Sequence, residues 1–162
     1  MLNQFFQQLY DSPLGTAIRE DPAYFPWIES FHVLAITIVV GSICALDLRF
    51  MGLASRQRSI SSFGAEVLPY TVTAFVVAAI TGLLLFSSNA PAYAENVYFI
   101  AKMLIMLVAL VNLSIFHFIT ERGIGQWDHM PKPPLAVRAA GAISLCCWIG
   151  IVLTGRWIAY TE

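Results

Sequence analysis

The sequence has few charged residues. Asp, Glu, Lys and Arg make up only 12% of its 162 residues, whereas 58% are hydrophobic and the mean hydropathy is +0.71. This composition lies well outside the usual range of soluble domains and is typical of a membrane protein. The formal net charge of −1 leaves no basic surface for a phosphate backbone, so we exclude nucleic acid as a partner.

Cysteine and histidine are also scarce. The three cysteines, Cys44, Cys146 and Cys147, all lie in apolar runs. We therefore interpret them as small core residues and expect no disulfide framework. Three histidines and five methionines are few for a protein that handles copper, since imidazole and thioether groups are its usual ligands.

Long apolar runs, by contrast, are plentiful. Four stretches have the roughly 20 apolar residues that a membrane span requires. They are residues 28–48, 67–86, 96–119 and 135–157. Because the connections are short, the sequence predicts an all-α integral membrane protein, with one transmembrane domain over residues 1–162 that forms an antiparallel four-helix bundle.

A short helix is predicted ahead of the first span, in "DSPLGTAIRE". Ser12 is suited to cap this helix and Pro13 to occupy its first turn. We expect the helix to lie at the membrane interface with Leu14, Ala17 and Ile18 towards the lipid.

The distribution of Lys and Arg predicts the orientation. Six basic residues belong to the first and third loops: Arg49, Arg56, Arg58, Arg122, Lys132 and Arg138. The second loop has none, and the N-terminal tail has only Arg19. The positive-inside rule then places the two loops in the cytoplasm and both termini in the periplasm of a bacterial inner membrane.

Ionisable residues of the spans fall into two layers if the bundle is antiparallel. The outer layer contains Glu29, His32, Lys102 and Arg156. The inner layer contains Asp47, Arg49, Glu66, His117, Glu121 and Arg138. Glu29 and Asp47 project in the same direction from the first span, and His32 lies about 60° to one side, which predicts that this face looks into the bundle.

Two interpretations of the outer layer stay open. Lys102 inside a span is costly and needs a partner, so one interpretation is a structural ion pair with Glu29. The other is a binding site near the periplasmic face, in which His32 is the ligand of a haem b iron. Lys102 and Arg156 would then form a cationic rim for haem propionates, a quinone oxygen or a lipid phosphate. Glu29 is predicted to belong to the same cofactor-binding site.

The inner layer also has two interpretations. Asp47 can pair with Arg49 or Arg138 in an anchor network, or it can form a proton-accepting pair with His117. His117 is the second candidate for a haem ligand. His32 and His117 are about 25 to 30 Å apart in depth, so they cannot bind one iron together.

Several segments resemble a family of four-helix bacterial inner-membrane proteins known only as a domain of unknown function. They are "SPLGTAIRED", "FPWIESFHVLAI", "VGSICALDLRFMGL", "LPYTVTAFVVAAITGLLLF" and "FIAKMLIMLVALVNLSIFH". More distantly, a histidine early in span one, with a lysine early and a histidine late in span three, is similar to CopD-type copper proteins and HemJ-type protoporphyrinogen oxidases. The HemJ resemblance implies a membrane-bound haem b, with His32 and Lys102 at positions that matter for activity.

Three functional classes follow from these features. The first is a redox protein that binds haem b through His32 and exchanges electrons with quinone or a partner protein, or acts on a porphyrin. The second is a structural or accessory subunit without a cofactor, and the third is a small transport or metal-handling protein. Whether the chain is an enzyme stays open, as does its assembly into a homodimer or a larger membrane complex.

Overall fold

The computed structural model describes residues 2–161 and consists of helices joined by short turns, with no strand in that range. Its long helices are α3 (Tyr24–Phe50), α4 (Ile60–Ser88), α6 (Val97–Ile115) and α8 (Leu135–Ile158). Shorter helices are α1 (Leu2–Tyr10), α2 (Pro13–Glu20), α5 (Ala90–Glu95) and α7 (Ile124–Trp127). Four helical stretches are long and apolar enough to cross a membrane, which confirms the predicted fold class.

The second and third spans are longer than their apolar residues predict. Helix α4 begins at Ile60, because Ser59 caps it by accepting a hydrogen bond from the Ser62 N–H at 3.2 Å. Helix α6 continues without a break through a π-helical segment, Phe116–Thr120, and a 3-10 turn into α7. Polar residues do not stop a helix at the membrane surface, so hydropathy alone misplaces such ends.

The long helices form an incomplete ring. Helix α3 packs against both α4 and α8, and α8 packs against α6, whereas α4 and α6 have at most marginal backbone contact over residues 2–161. None of the residues of α6 is fully buried. The bundle is therefore open towards the lipid between α4 and α6.

The two ends of the bundle are named here by their position. The outer end is where the described chain begins and ends, and the inner end carries the first and third loops. The inner end has a compact apolar core of Ile60, Trp127 and Val137. Phe50 and Phe116 stack beside this core with ring centroids 4.7 Å apart.

Helix α2 starts as predicted, with Ser12 accepting a hydrogen bond from the Gly15 N–H at 3.1 Å and with proline in the first turn. Its predicted lipid-facing side is only partly correct. Leu14 is exposed, but Ile18 is 2% exposed because it faces the outer end of the bundle. A Cβ at Gly15 would lie 2.7 Å from the Ser87 carbonyl oxygen, so only glycine permits this close packing on α4.

Candidate functional site

His32 points from α3 towards the outer part of α4. Its Nδ1 lies 2.9 Å from the Thr81 hydroxyl oxygen. A Cβ on Gly82 would be only 2.9 Å from the His32 Cε1, so the ring occupies the space that a larger residue at this position would need. Thr81 and Gly82 together hold the imidazole between two helices.

The hydrogen bonds of Thr81 define the tautomer of His32. The Thr81 hydroxyl donates its single proton to the Val77 carbonyl oxygen at 2.7 Å, with Ala78 as a longer alternative acceptor at 3.2 Å. With that proton on its own helix, Thr81 accepts from the His32 Nδ1–H, which corresponds to the Nδ1-protonated tautomer. In this tautomer the lone pair is on the His32 Nε2, which lies 3.8 Å from the Cβ position of Gly82.

Lys102 points from α6 towards α8. A Cβ on Gly155 would contact its Cδ, Cε and Nζ at 3.8, 3.9 and 3.9 Å, so the lysine stem lies along the glycine surface of α8. The ammonium group is close enough to His32 for their charges to interact. Four helices thus contribute to one layer at the outer end: His32 from α3, Thr81 and Gly82 from α4, Lys102 from α6 and Gly155 from α8.

The predicted ion pair between Glu29 and Lys102 is wrong. Within residues 2–161, ion pairs join Arg58 to Glu66, His117 to Glu121 and His129 to Asp128, and none involves Lys102. Glu29 is exposed, because its place near the start of α3 lets the carboxylate stay at the membrane surface.

Arg156 is also directed away from the interior. It is exposed, and its Nη2 donates to the Tyr160 hydroxyl at 2.9 Å while its guanidinium lies 5.1 Å from the centroid of the same ring. Tyr98 and Trp157 stack nearby, with ring centroids 6.2 Å apart. Arg156 follows Gly155, the residue against which Lys102 packs, so it is at the depth predicted for it but on the surface of the bundle.

A stack of aromatic rings closes the gap between α4 and α6 at the outer end. Phe86 and Phe99 have ring centroids 5.3 Å apart, and Tyr93 of α5 stacks on both rings at 6.2 and 6.0 Å. Phe86 follows Gly82 by one helical turn, and Phe99 precedes Lys102 by a similar distance. The stack therefore lies just outside the layer of His32 and Lys102.

At the inner end, Arg49 is 0% exposed and is committed to backbone carbonyls. Its Nε donates to the Arg58 carbonyl at 2.9 Å, and its Nη2 donates to the Met130 and Asp128 carbonyls at 3.3 and 3.4 Å. These acceptors belong to the first and third loops. Arg49 thus ties the two loops together, and it does not pair with Asp47 as one interpretation predicted.

Asp128 reinforces the same junction. Its carboxylate accepts the Ser61 N–H at 2.7 Å and the Ser61 hydroxyl at 2.6 Å, and its carbonyl accepts the Ile60 N–H at 3.2 Å. Burial alone would raise the pKa of Asp128, but the hydrogen bonds from Ser61, helped by the charge of His129, hold the pKa below its ordinary value. The first turn of α4 is thereby fixed to the third loop.

Asp47 lies where α8 approaches α3 most closely. It is 3% exposed, and its carbonyl oxygen is 3.0 Å from the Cβ position of Gly141. Its Oδ2 has no hydrogen-bond partner within residues 2–161. The Nε of Arg138 likewise has none, so the predicted pairing of Asp47 with Arg49 or Arg138 is wrong.

His117 lies in the π-helical segment, and its side chain is 65% exposed. Its partner is Glu121, with the Nδ1 2.6 Å from the carboxylate, and not Asp47 as predicted. The one-turn spacing of these residues on the same stretch of helix brings them together. His117 and Asp47 therefore form no proton-accepting pair.

The outer layer offers one available imidazole nitrogen and one cation. Within residues 2–161, no group of three His, Cys, Asp or Glu side chains could hold a metal ion. Two cavities, of about 230 and 250 Å³, lie at the outer end near α1, α2 and α5, and neither is lined by His32 or Lys102. A larger group at His32 would therefore need α4 and α6 to separate, and these are the two helices with the least contact.

Thr81, Gly82 and Gly155 were not predicted as site residues. The first two stand together in "AITGLLL", where a hydroxyl and a glycine interrupt an apolar run. Gly155 immediately precedes Arg156 near the end of the last span. The sequence could have indicated them only as small or hydroxyl residues able to pack against an ionisable residue of another helix. It does not show which residues of different helices face each other.

Comparison with known proteins gives one match. The model of DUF6644, described as a family of unknown function, matches residues 14–161. Searches of curated proteins and of solved structures found no match. The match covers nearly the whole chain and includes both polar layers, so the chain belongs to the DUF6644 family of unknown function.

Proposed function

We propose that the protein is a membrane redox protein that binds haem b through His32 near the periplasmic face. The main support is the state of the imidazole: Thr81 accepts the Nδ1–H and leaves the Nε2 lone pair available. Histidine ligands are usually oriented in this way, with the second ring nitrogen held by a hydrogen bond. The sequence resemblance of His32 and Lys102 to the HemJ arrangement agrees with this proposal.

Lys102 supplies the charge that an anionic cofactor needs at this depth. Its ammonium lies near His32, has no carboxylate partner within residues 2–161, and would receive one haem propionate. Arg156, at a similar depth on the surface of α8, would receive the other after its side chain turns from Tyr160. Glu29 lies outside this set because its carboxylate would repel the negatively charged propionates.

Bound haem would supply one-electron chemistry. A planar, apolar group would enter from the bilayer between α4 and α6, which have the least contact, after these helices separate beneath the aromatic stack of Phe86, Tyr93 and Phe99. A quinone, a redox partner protein or a porphyrin substrate would exchange electrons at the same end. A second copy of the chain in a homodimer, or another subunit, would provide a further iron ligand if one is required.

The orientation of the chain is part of this proposal. The predominance of Lys and Arg in the first and third loops supports a cytoplasmic inner end, with both termini in the periplasm of a bacterial inner membrane. The site at His32 would then face the periplasm.

A second function is a structural or accessory subunit without a cofactor. The observation that favours it is the packing of His32 and Lys102 against Gly82 and Gly155, with neither residue lining a described cavity. Both polar layers would then only fix the helices relative to one another.

The two functions are distinguished by the visible absorption spectrum of protein purified from haem-supplied cells. We expect a Soret band that is lost in His32→Ala and mostly retained in His117→Ala. Thr81→Val should weaken haem affinity about tenfold or more, because it removes the acceptor that orients the ring. Thr73→Val is the matched control, since Thr73 makes the same bond to its own helix but is exposed.

A colourless wild-type protein would reject the haem proposal in favour of the structural function. Loss of the Soret band in His117→Ala, with the band retained in His32→Ala, would move the site to the inner end. Equal haem affinity in Thr81→Val and Thr73→Val would show that the hydrogen bond from His32 does not orient a ligand.

A further inference from the structure

A second binding site lies at the outer end, on the side where α1, α2 and α5 cover the bundle. Two cavities adjoin each other there. One, of about 230 Å³, has an apolar lining of Phe6, Phe86, Ala94, Phe99, Ile100, Met103 and Leu104. The other, of about 250 Å³, is lined by Tyr10, Arg19, Phe25, Ser88, Asn89 and Tyr93 and is partly polar.

The two cavities differ in polarity and in the elements that line them. The apolar cavity follows the first two turns of α6 and is completed by Phe86 of α4, Phe6 of α1 and Ala94 of α5. The polar cavity lies at the end of α4, where Ser88 and Asn89 lead into α5. The stacked rings of Phe86 and Tyr93 form the wall between them.

Arg19 is rigidly held beside the polar cavity. Its Nη1 donates to the Tyr10 and Ser88 carbonyls at 3.2 and 3.3 Å, and its Cζ lies 3.9 Å from the centroid of the Tyr10 ring. The close packing at Gly15 fixes α2, and therefore Arg19, against the end of α4. Because these contacts hold the Arg19 guanidinium in one orientation, its unbonded edge has a fixed position.

The remaining edge of the Arg19 guanidinium is available. A guanidinium has five N–H groups; the two of Nη1 are used on carbonyls, and one of Nη2 makes a long bond to the Thr16 hydroxyl at 3.4 Å. The Nε–H has no partner among these bonds and Nη2 has only the long one, so the Nε–Nη2 edge keeps donor capacity for a phosphate. No carboxylate within residues 2–161 forms an ion pair with Arg19.

We propose that this corner binds one phospholipid, with its phosphate on Arg19 and one acyl chain in the apolar cavity. The site is independent of the haem proposal. A polar cavity beside a guanidinium that has no carboxylate partner, next to an apolar cavity, matches the two parts of a phospholipid in charge and polarity. Free phosphate would use only the polar cavity and the Arg19 guanidinium.

The test is a lipid titration of the purified protein in detergent, with native mass spectrometry counting bound molecules. The probes are dioleoylphosphatidylglycerol, dioleoylglycerol, which lacks the phosphate, and inorganic phosphate. We expect one phosphatidylglycerol to bind with higher affinity than the others. Arg19→Gln should weaken this affinity about fivefold, while Arg122→Gln, the same charge change on an exposed arginine at the inner end, leaves it unchanged.

Two further measurements separate the headgroup from the chain. Dioleoylglycerol should bind more weakly and should not respond to Arg19→Gln, because it has no phosphate. Ala94→Leu, which fills part of the apolar cavity and keeps Arg19, should weaken phosphatidylglycerol binding, whereas Ala139→Leu on an exposed surface of α8 should not. The Soret absorbance should be the same in wild type and Arg19→Gln, so the two proposals fail separately.

Equal affinities of Arg19→Gln and Arg122→Gln for phosphatidylglycerol would overturn the proposal. Saturable binding of inorganic phosphate with an affinity equal to that of the lipid would also overturn it, because the acyl chain would then contribute nothing.

Discussion

The two ends of the bundle use buried polar side chains in opposite ways. At the inner end, Arg49 donates to three carbonyls of two loops, and Asp128 accepts both hydrogen bonds that Ser61 can donate. At the outer end, His32 keeps an available Nε2 and Lys102 has no acceptor within residues 2–161. The inner end is not fully satisfied, because the Arg49 Nη1, the Asp47 Oδ2 and the Arg138 Nε have no partner within residues 2–161. The difference is that Arg49 and Asp128 use most of their bonding capacity to join two loops, whereas His32 and Lys102 keep capacity that a ligand could use.

Arg49→Met tests the inner half of this comparison and should have the largest effect. The substitution removes a buried cation and leaves three carbonyls without their charged donor, so we expect a loss of about 3 kcal/mol in the free energy of unfolding. Arg49→Lys should recover only part of it, since an ammonium on a flexible stem cannot reproduce the planar fork. Thermal unfolding in detergent measures both variants.

The control for Arg49→Met is Arg122→Met, because Arg122 is exposed and should tolerate the change within about 0.5 kcal/mol. Equal melting temperatures of Arg49→Met and Arg122→Met would mean that the loop junction contributes no stability. The buried polar residues of the inner end would then not stabilise the fold, and the proposed difference from the outer end would be lost.

Asp128→Asn should have an intermediate effect that depends on pH. At pH 7 we expect a cost of about 1–2 kcal/mol, because the amide is a weaker acceptor for Ser61 at the start of α4. The pKa of Asp128 is lower in the folded protein, so its contribution is complete above the unfolded pKa and is lost as the pH falls through the folded value. The difference from wild type should therefore shrink below about pH 4.

Thermal unfolding of wild type and Asp128→Asn between pH 7 and pH 3 measures this effect. Asp11→Asn, on an exposed residue with one hydrogen bond from Gln7, is the control and should show a small difference. A difference for Asp128→Asn that stays constant over this pH range would contradict a role of the carboxylate charge.

The number of spans and the two polar layers follow from the sequence, because both depend only on the positions of apolar and ionisable residues along the chain. The partners within each layer do not. Arg49 binds main-chain carbonyls, which every residue has and no sequence pattern marks. His32 binds a threonine hydroxyl, and Lys102 packs on a glycine, so neither contact involves the opposite charge that was used to predict it.

The prediction that one face of α3 carries Glu29, His32 and Asp47 into the bundle was also too simple. Glu29 and Asp47 do project in one direction, but Glu29 stands at the membrane surface and Asp47 where α8 packs closely on α3. His32, nearby on the helical wheel, faces α4 instead. A helix with neighbours on two sides has two buried surfaces, and helical angles do not indicate which neighbour a residue meets.

The smallest effect is expected at His117, and it sharpens the comparison between the two ends by testing a histidine at the inner end. His117 and Glu121 form an exposed pair, with 65% and 40% of the side chains accessible, so water and lipid headgroups compensate most of its loss. We expect His117→Gln to change the free energy of unfolding by about 0.5 kcal/mol or less, with Glu121→Gln within the same range.

Thermal unfolding in detergent measures both variants against wild type, and His129→Gln, on another exposed histidine of the inner end, serves as the control. A loss of unfolding free energy from His117→Gln as large as that from Arg49→Met would show that the π-helical segment is part of the loop junction. His117 would then be a structural residue of the inner end, and the comparison between the two ends would have to include it.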